Sequence, residues 1–442
     1  METVLLYILG IVIIAVGILV SIALHEVGHL IPAKRFGVYV GQYMIGFGPT
    51  LWSRRRGETE YGIKAIPAGG YISMAGMYPP EPGATAARNS STGFMQTLAQ
   101  DARTASQDTV LPGMEERVFY KLATWKRVII MLGGPFMNLL IGIVLYAVVL
   151  CGFGIPQLST TLGSVNECVI PASSESQECT SDDPLAPAAE AGIEPGDRFV
   201  SIDGEAITSW EQATEIIRAN PGVPLAVVVE RDGEQLSLEA TPALAERYVY
   251  EDDNSIAEDA DGNRVTEEVG FLGIGSAYET VQQPVTAVLP TVADNVVRVG
   301  GIIVNLPQRL IDVWNAAFGE EERDPNGPVG LVGVGRLAGE ITSIDTAPVA
   351  DRASALIQLL ASLNIALFVF NLVPLLPLDG GHVAGAVWES LRRRVAKIFK
   401  RPDPGPFDIA RLLPLTMVVV VLLGAMTVLL VYADIVKPIT IL

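Results

Sequence analysis

The chain has 442 residues, 50% of them hydrophobic and 18% charged, against roughly 25% charged in an ordinary soluble protein, so composition excludes a wholly soluble protein. Three histidines exclude chemistry that needs many imidazoles, and three cysteines exclude a disulfide-dense scaffold or a four-cysteine zinc cluster. The net charge of −19 is concentrated: residues 152–352 carry 35 acidic and 10 basic side chains, a balance of −25, so the rest sums to +6. An acidic balance repels nucleic acid, and no nucleic-acid partner is expected.

Residues 4–24 are uncharged and long enough to span a bilayer. Glu2, the lack of a basic residue before the run and the lack of a small-residue cleavage site predict a retained first helix, residues 1–33, rather than a signal peptide. Directly after the run comes H-E-V-G-H, residues 25–29. Side chains four apart share a helix face, so His25 and His29 can aim at one ion with Glu26 beside it. That pattern suits zinc as the cofactor, with Glu26 as the base that deprotonates water. A carboxylate near the end of a spanning helix is costly without a partner, which argues against two interfacial histidines and a bystander.

Residues 34–124 follow as a loop, and 34–127 hold 12 Lys and Arg. Within it, 39–77 alternates and is rich in Gly, with a turn at Gly57-Glu58 and a glycine pair, Gly69 and Gly70. This predicts a membrane-associated β-hairpin whose edge takes up an extended strand, with Gly69 and Gly70 as substrate-binding candidates. An ordinary loop is the alternative reading. A second spanning helix, 125–153, carries G-G-P-F-M-N and is expected to break near Asn138, a further substrate-binding candidate.

The acidic block opens with a module over 156–245. It reads as an alternating strand ending at a Gly204 turn, a helix over 210–219 and two strands across Asp232-Gly233. Cys168 and Cys179 lie in this block, with pairing left open. An acidic loop and strand, 246–280, reads as solvated. Its acidic spacing only partly mimics a calcium loop, because Ala257 occupies the first ligand position. The region 281–350 is expected to be an amphipathic helix region; within it Pro284–Trp314, interrupted by Arg298 and Arg309 and broken at Gly300, Gly301 and Pro307, reads as too short and charged to span.

The third spanning helix, 353–382, contains N-L-V-P-L-L-P-L-D-G-G-H. Pro374 and Pro377 must break it, and broken backbone at membrane depth lines a cavity or is buried in protein. Asn371 either offers a donor to that cavity or bonds to freed helix carbonyls. Asp379 and His382 compete as third metal ligand. Both the first and third helices run inward, so Asp379 arrives at the depth of His25, which favours Asp379. A basic loop, 383–411, and a fourth helix, 412–433, complete the chain. Lys and Arg are held on the cytoplasmic side, which puts both basic loops inside, the acidic block and both termini outside, and the site near the cytoplasmic face.

H-E-V-G-H, G-G-P-F-M-N and N-L-V-P-L-L-P-L-D-G-G, in three successive membrane helices, resemble the site-2 protease family of intramembrane zinc metalloproteases over nearly the whole chain. The run L-A-P-A-A-E-A-G-I-E-P-G-D-R-F-V-S-I-D-G, 185–204, is similar to the PDZ modules of bacterial proteases. The resemblance implies one zinc held by His25, His29 and Asp379, water activation by Glu26, and Asn371 holding the substrate backbone. It further implies cleavage of transmembrane segments of single-pass proteins such as anti-sigma factors after a first cut, and of remnant signal peptides. A single PDZ-like module, rather than two in tandem, is more like actinobacterial and Gram-positive members; it would bind peptide C-termini or filter substrates by size. The expected fold is a multi-pass α-helical membrane protein with four transmembrane helices, a membrane-associated β-hairpin and an extracytoplasmic α+β PDZ-like domain, in the bacterial inner membrane. The alternative is a catalytically inactive membrane-anchored PDZ adaptor, which would be expected to lose Glu26 or a ligand first. All four residues are present. A transporter fits poorly, since no paired repeat is visible.

Overall fold

The computed structural model describes residues 2–80, 103–170, 174, 179–180, 183–249, 256–257, 259, 264–325 and 327–440. They form two compact units, Met1–Phe153 with Pro284–Leu442, and Gly154–Gln283.

The first unit is helical. Helix α1, Glu2–Arg35, has Glu2 in its first turn and Lys34 and Arg35 in its last, charges that complement the helix dipole at both ends. Helix α2, Thr124–Ala147, packs against α1. Among the described residues, six further helices follow in chain order after the second unit, apart from short connecting turns, beginning with α5 Val288–Val304, α6 Leu306–Phe318, α7 Leu331–Ser343, α8 Val349–Asn371 and α9 Asp379–Ile398. Helix α10, Leu413–Val436, is the last. Helix α8 packs on α1 and α2, α7 on α1, and α9 on α2. Ile14, Val334, Ala338 and Leu356 form one shared core of α1, α7 and α8. Buried polar groups pair across helices: Asn364 donates to Ser21 Oγ at 3.0 Å, and Thr342 to the Leu6 carbonyl at 2.8 Å, as helix contacts in lipid favour. Large apolar side chains such as Val4, Leu5, Val421 and Leu422 are more than 60% exposed, a surface that hydrocarbon tolerates and water does not.

Among the described residues, five helical segments are long and apolar enough to cross a membrane: Glu2–Arg35, Thr124–Phe153, Val285–Val304, Val349–Asn371 and Ile409–Val436. The expectation that Pro284–Trp314 is too short and charged to span is thus corrected for its first part. Gly300 and Gly301 sit inside α5, where an added Cβ would meet nothing within 4 Å among the described residues, and the interruption falls at Asn305, before Pro307. Helix α2 also differs from expectation. It passes through Pro135 and Asn138 without a break.

Strands β1, Val40–Arg56, and β2, Thr59–Met74, belong to the same unit and turn at Gly57-Glu58. The arrangement is more than a simple hairpin. Residues 40–45 pair with 70–74 on one side and with 60–63 on the other, through Val40↔Met74, Ile45↔Gly70, Gln42↔Glu60 and Ile45↔Ile63. Val40, Tyr43 and Met74 join a core with Leu30, Ala33, Ile130 and Met131 of α1 and α2.

The second unit is a sheet in the order β10-β3-β4-β6-β7, with β5 on β4. Its strands are β3 Ile155–Val165, β4 Arg198–Ile202, β5 Glu205–Ala206, β6 Leu225–Arg231, β7 Glu234–Ala240 and β10 Ile274–Val281. Strands β8, Ala243–Tyr248, and β9, Thr266–Phe271, pair separately. A short helix α3, Pro187–Glu190, precedes β4. Asp232 and Gly233 both have positive φ, the geometry of a tight hairpin turn. Helix α4, Trp210–Ala219, is capped by Ser209 and buries Ala213 and Ile217 against Phe199, Ile202, Leu225, Val227 and Val229. The unit extends past the expected boundary at 245 to Gln283, because β10 pairs with β3 from Ile274↔Val165 to Val281↔Ile155. Cys168 and Cys179 form a disulfide, Cα atoms 5.9 Å apart. Much of the acidic tract lies outside the described residues.

Candidate metal centre and active site

Helix α1 presents His25, Glu26 and His29 in its last third. It crosses α2 at almost no distance: a methyl on Gly28 would run into the Gly133 carbonyl, and one on Gly133 into the Gly28 carbonyl. Gly134 lies beside both imidazoles, and a side chain there would fall between His29 Nε2 and the His25 ring. The glycine pair of G-G-P-F-M-N is therefore what brings α2 up to the two histidines.

Helix α8 ends at Asn371, the chain turns through Pro374 and Pro377, and Asp379 opens α9. The turn is tight. A Cβ on Gly380 would strike the carbonyls of Leu372 and Val373, and one on Gly381 the backbone of Leu375 and Leu376. The D-G-G run thus folds the new helix back on the preceding turn and delivers a carboxylate from a helix N-terminus, where an anion is favoured.

His25 Nε2 and His29 Nε2 are 3.2 Å apart, and each is 3.3 Å from Asp379 Oδ2. Among the described residues, His25, His29 and Asp379 form a group whose ligand atoms all lie within 4.8 Å of one another. Three edges of 3.2–3.3 Å match the ~3.3 Å ligand separation of a tetrahedral ion with bonds of about 2.0–2.1 Å. Asp379 Oδ2 is buried with no hydrogen-bond partner among the described residues, so its lone pair is left for such an ion. These residues fit a metal. His382 is outside the group, and its Nδ1 is buried without a hydrogen-bond partner among the described residues.

The remaining contacts orient this cluster. His29 Nδ1 lies 2.7 Å from the Ile130 carbonyl, which accepts. Glu26 is half-buried and bonded by the Ile72 backbone amide. A Cβ on Gly70 would come to 3.0 Å from Glu26 Cγ and 3.2 Å from the Met44 carbonyl, so β2 approaches Glu26 only because residue 70 has no side chain. Gly69, at φ +123°, adopts a conformation suited to glycine and packs over the Phe47 ring. Tyr43 donates to the Ala23 carbonyl at 2.8 Å. Burial, then the charge of Glu26, push the Tyr43 phenol up to about 12, which keeps it a donor and ties β1 to α1.

Asn371 takes one of its two expected placements, and Asn138 is placed differently from expectation. Asn371 donates to Leu367 O at 3.0 Å, the helix-carbonyl alternative. Asn138 is 1% exposed and lies 3.2 Å from His25 Nδ1, a placement beneath the ligand rather than on a substrate-lining surface. Gly28, Gly133, Gly134 and Ile130 were not singled out from sequence; the adjacent glycines in a spanning helix were the available signal.

Residues 13–401 match the family model of peptidase family M50. The chain is 35% identical over 444 residues to zinc metalloprotease Rip1 of Mycobacterium tuberculosis, covering 98% of this chain and 99% of that protein. It is 33% identical over 445 residues to Rip1 of Mycolicibacterium smegmatis, covering 98% of each. Against metalloprotease MmpA of Caulobacter vibrioides the identity is 30% over 388 residues, 85% of each chain. A match of this extent, on a chain whose histidine pair and distant aspartate converge on one point, places the protein in peptidase family M50, the site-2 protease family that its motifs resemble.

Proposed function

We propose that this zinc metalloprotease cuts peptide bonds within or beside the membrane-spanning segments of single-pass proteins. The observation that carries the reading is the convergence of His25, His29 and Asp379, from two separate helices, with Glu26 on the same turn of α1. His25, His29 and Asp379 would hold one zinc ion. Bound there, it supplies Lewis acidity to a carbonyl oxygen and acidifies water.

Glu26 takes the proton of the attacking water and returns it to the leaving amide nitrogen, so that one water molecule is consumed per bond broken. Half-burial and the Ile72 amide hold its carboxylate in place. A peptide bond inside a helix is shielded by its own hydrogen bonds, so a substrate must be drawn out as a strand. The segment 69–72 beside Glu26 supports capture of that strand by edge pairing, with Gly69 and Gly70 letting β2 lie close against Phe47 and Glu26. Asn371, at the break after α8, is assigned to the substrate backbone through its side-chain oxygen, its Nδ2 being bonded to Leu367 O.

The proposed substrates are anti-sigma factors already trimmed outside the membrane, and remnant signal peptides. The unit Gly154–Gln283 is assigned to the extracytoplasmic side as a PDZ-like domain, on the pattern of basic loops and on its acidic charge. Its Cys168–Cys179 disulfide supports an oxidising compartment. The site then lies near the cytoplasmic face of the inner membrane.

The test is reconstitution of the purified protein with a single-pass substrate, compared with Glu26→Gln. Cleavage is expected to fall by about 10²–10⁴-fold with zinc content unchanged. Full-rate cleavage by the variant removes Glu26 from its role.

A further inference from the structure

We propose that Asn138 is a positioning residue whose side-chain carbonyl accepts a hydrogen bond from His25 Nδ1–H, and so holds His25 in the tautomer that turns the Nε2 lone pair toward the cluster. The inference rests on the metal reading of that cluster.

A neutral imidazole carries one ring proton, and Nε2 is a ligand only when that proton is on Nδ1. His29 meets the condition by construction, because its Nδ1 faces the Ile130 carbonyl at 2.7 Å and a carbonyl only accepts. At His25 the corresponding partner is an amide, which can accept or donate. Asn138 Nδ2 lies 3.2 Å from His25 Nδ1, while Asn138 Oδ1 is buried without a partner among the described residues. A donor facing Nδ1 would force the proton onto Nε2, where it would bond to the Asp379 carboxylate 3.3 Å away and remove the lone pair a metal needs, and would leave a buried carbonyl unsatisfied.

Turning the amide over removes both problems at once. The two ends of an amide have nearly the same shape, so hydrogen-bond chemistry decides between them. With Oδ1 toward His25, the proton stays on Nδ1 and the ring is fixed by an acceptor, as in His29.

The arrangement on α2 agrees. Ile130, Gly134 and Asn138 are spaced by four and lie on one stripe of the helix. Ile130 provides the acceptor for His29, Gly134 the space for both rings, and Asn138 the acceptor for His25. At 1% exposure, Asn138 is shielded from bulk water.

The experiment uses full-length protein in detergent with ¹⁵N-labelled histidine; three histidines in the chain keep the spectrum assignable. In metal-free wild type, His25 is expected as the Nδ1–H tautomer. In Asn138→Ala it moves toward Nε2–H while His29 is unchanged. Zinc competition against a chelator is expected to show about 10–100-fold weaker binding in Asn138→Ala, and near-wild-type binding in Asn138→Asp, which keeps an acceptor oxygen.

An Nε2–H tautomer of His25 in the wild type overturns the proposal. So does an alanine variant that keeps both tautomer and affinity, or an aspartate variant that falls as far as alanine. If the alanine variant fails to fold, the wild-type spectrum and the aspartate variant decide. Failure of the metal reading looks different: wild type would then hold zinc no more tightly than His29→Ala, whatever the tautomer.

Discussion

His25, Glu26 and His29 are readable in the chain because their spacing is a property of the helix itself. Gly134 is not, because its role is to be absent where two imidazoles from another helix arrive. Gly134→Ala places a methyl against His29 Nε2 and the His25 ring. It is expected to lower zinc occupancy at least about tenfold, the loss typical of disturbing a ligand's supporting contacts, with helix content by circular dichroism unchanged. In the second unit, Asp197 is 1% exposed and accepts from Arg231 Nε at 2.7 Å, Arg231 Nη2 at 2.8 Å and the Glu194 amide at 2.9 Å. The Arg231 hydrogen bonds hold its carboxyl below the usual carboxylate range. A lowered folded value means the stabilisation is complete above the ordinary aspartate value of about 3.9 and is lost as pH falls through the folded one. Asp197→Asn is expected to destabilise the protein by about 2 kcal/mol at neutral pH and to lose less further stability than wild type between about pH 4 and pH 2, as measured by thermal unfolding.

At the scale of elements, the site depends on how α9 is seated. Asp379 is its first residue, and ten residues on, Glu389 is 2% exposed and accepts from Arg127 Nη1 and Nη2 of α2 at 3.0 and 2.7 Å. Arg393 pairs with the same carboxylate at 3.2 Å, and the Phe407 amide donates at 2.9 Å. Removing one side of a buried pair leaves the other charge uncompensated, so Glu389→Ala is expected to lose about 3–5 kcal/mol. Arg127→Met with Glu389→Leu is expected to recover part of it, because no buried charge is then orphaned, Arg393 being exposed and also paired with Asp403, while the Phe407 amide still loses its acceptor. Thermal unfolding of the single and double variants checks both. The break at Pro374 and Pro377 was legible because proline cannot continue a helix. The continuity of α2 through Pro135 was not, since a proline inside a spanning helix is tolerated where neighbouring groups satisfy the backbone.

For the whole molecule, zinc is expected to matter for activity and little for folding. The ligands sit on helices α1 and α9 that are formed and packed through α2, unlike small domains that fold only around their metal. Chelation is therefore expected to abolish cleavage, zinc to restore it, and helix content to stay constant throughout; a collapse of helicity on chelation would show that the ion carries the fold. The charge distribution points to a second whole-molecule feature, since the acidic balance of 152–352 includes the separate unit Gly154–Gln283.

Four of the five long apolar helical segments, the histidine pair with its glutamate, the hairpin turn at Gly57-Glu58 and the α4 segment of the second unit were determined by sequence alone. Each is a local matter of apolar length, helical spacing, turn chemistry or amphipathic period. Only tertiary structure decided that Asp379 and not His382 completes the cluster, that residues 40–45 pair on both sides, that β10 closes onto β3, and that Asn138 sits beneath His25. Those are relations between segments far apart in the chain, set by which backbones can approach, and a glycine's missing side chain leaves no periodic trace of the neighbour it admits.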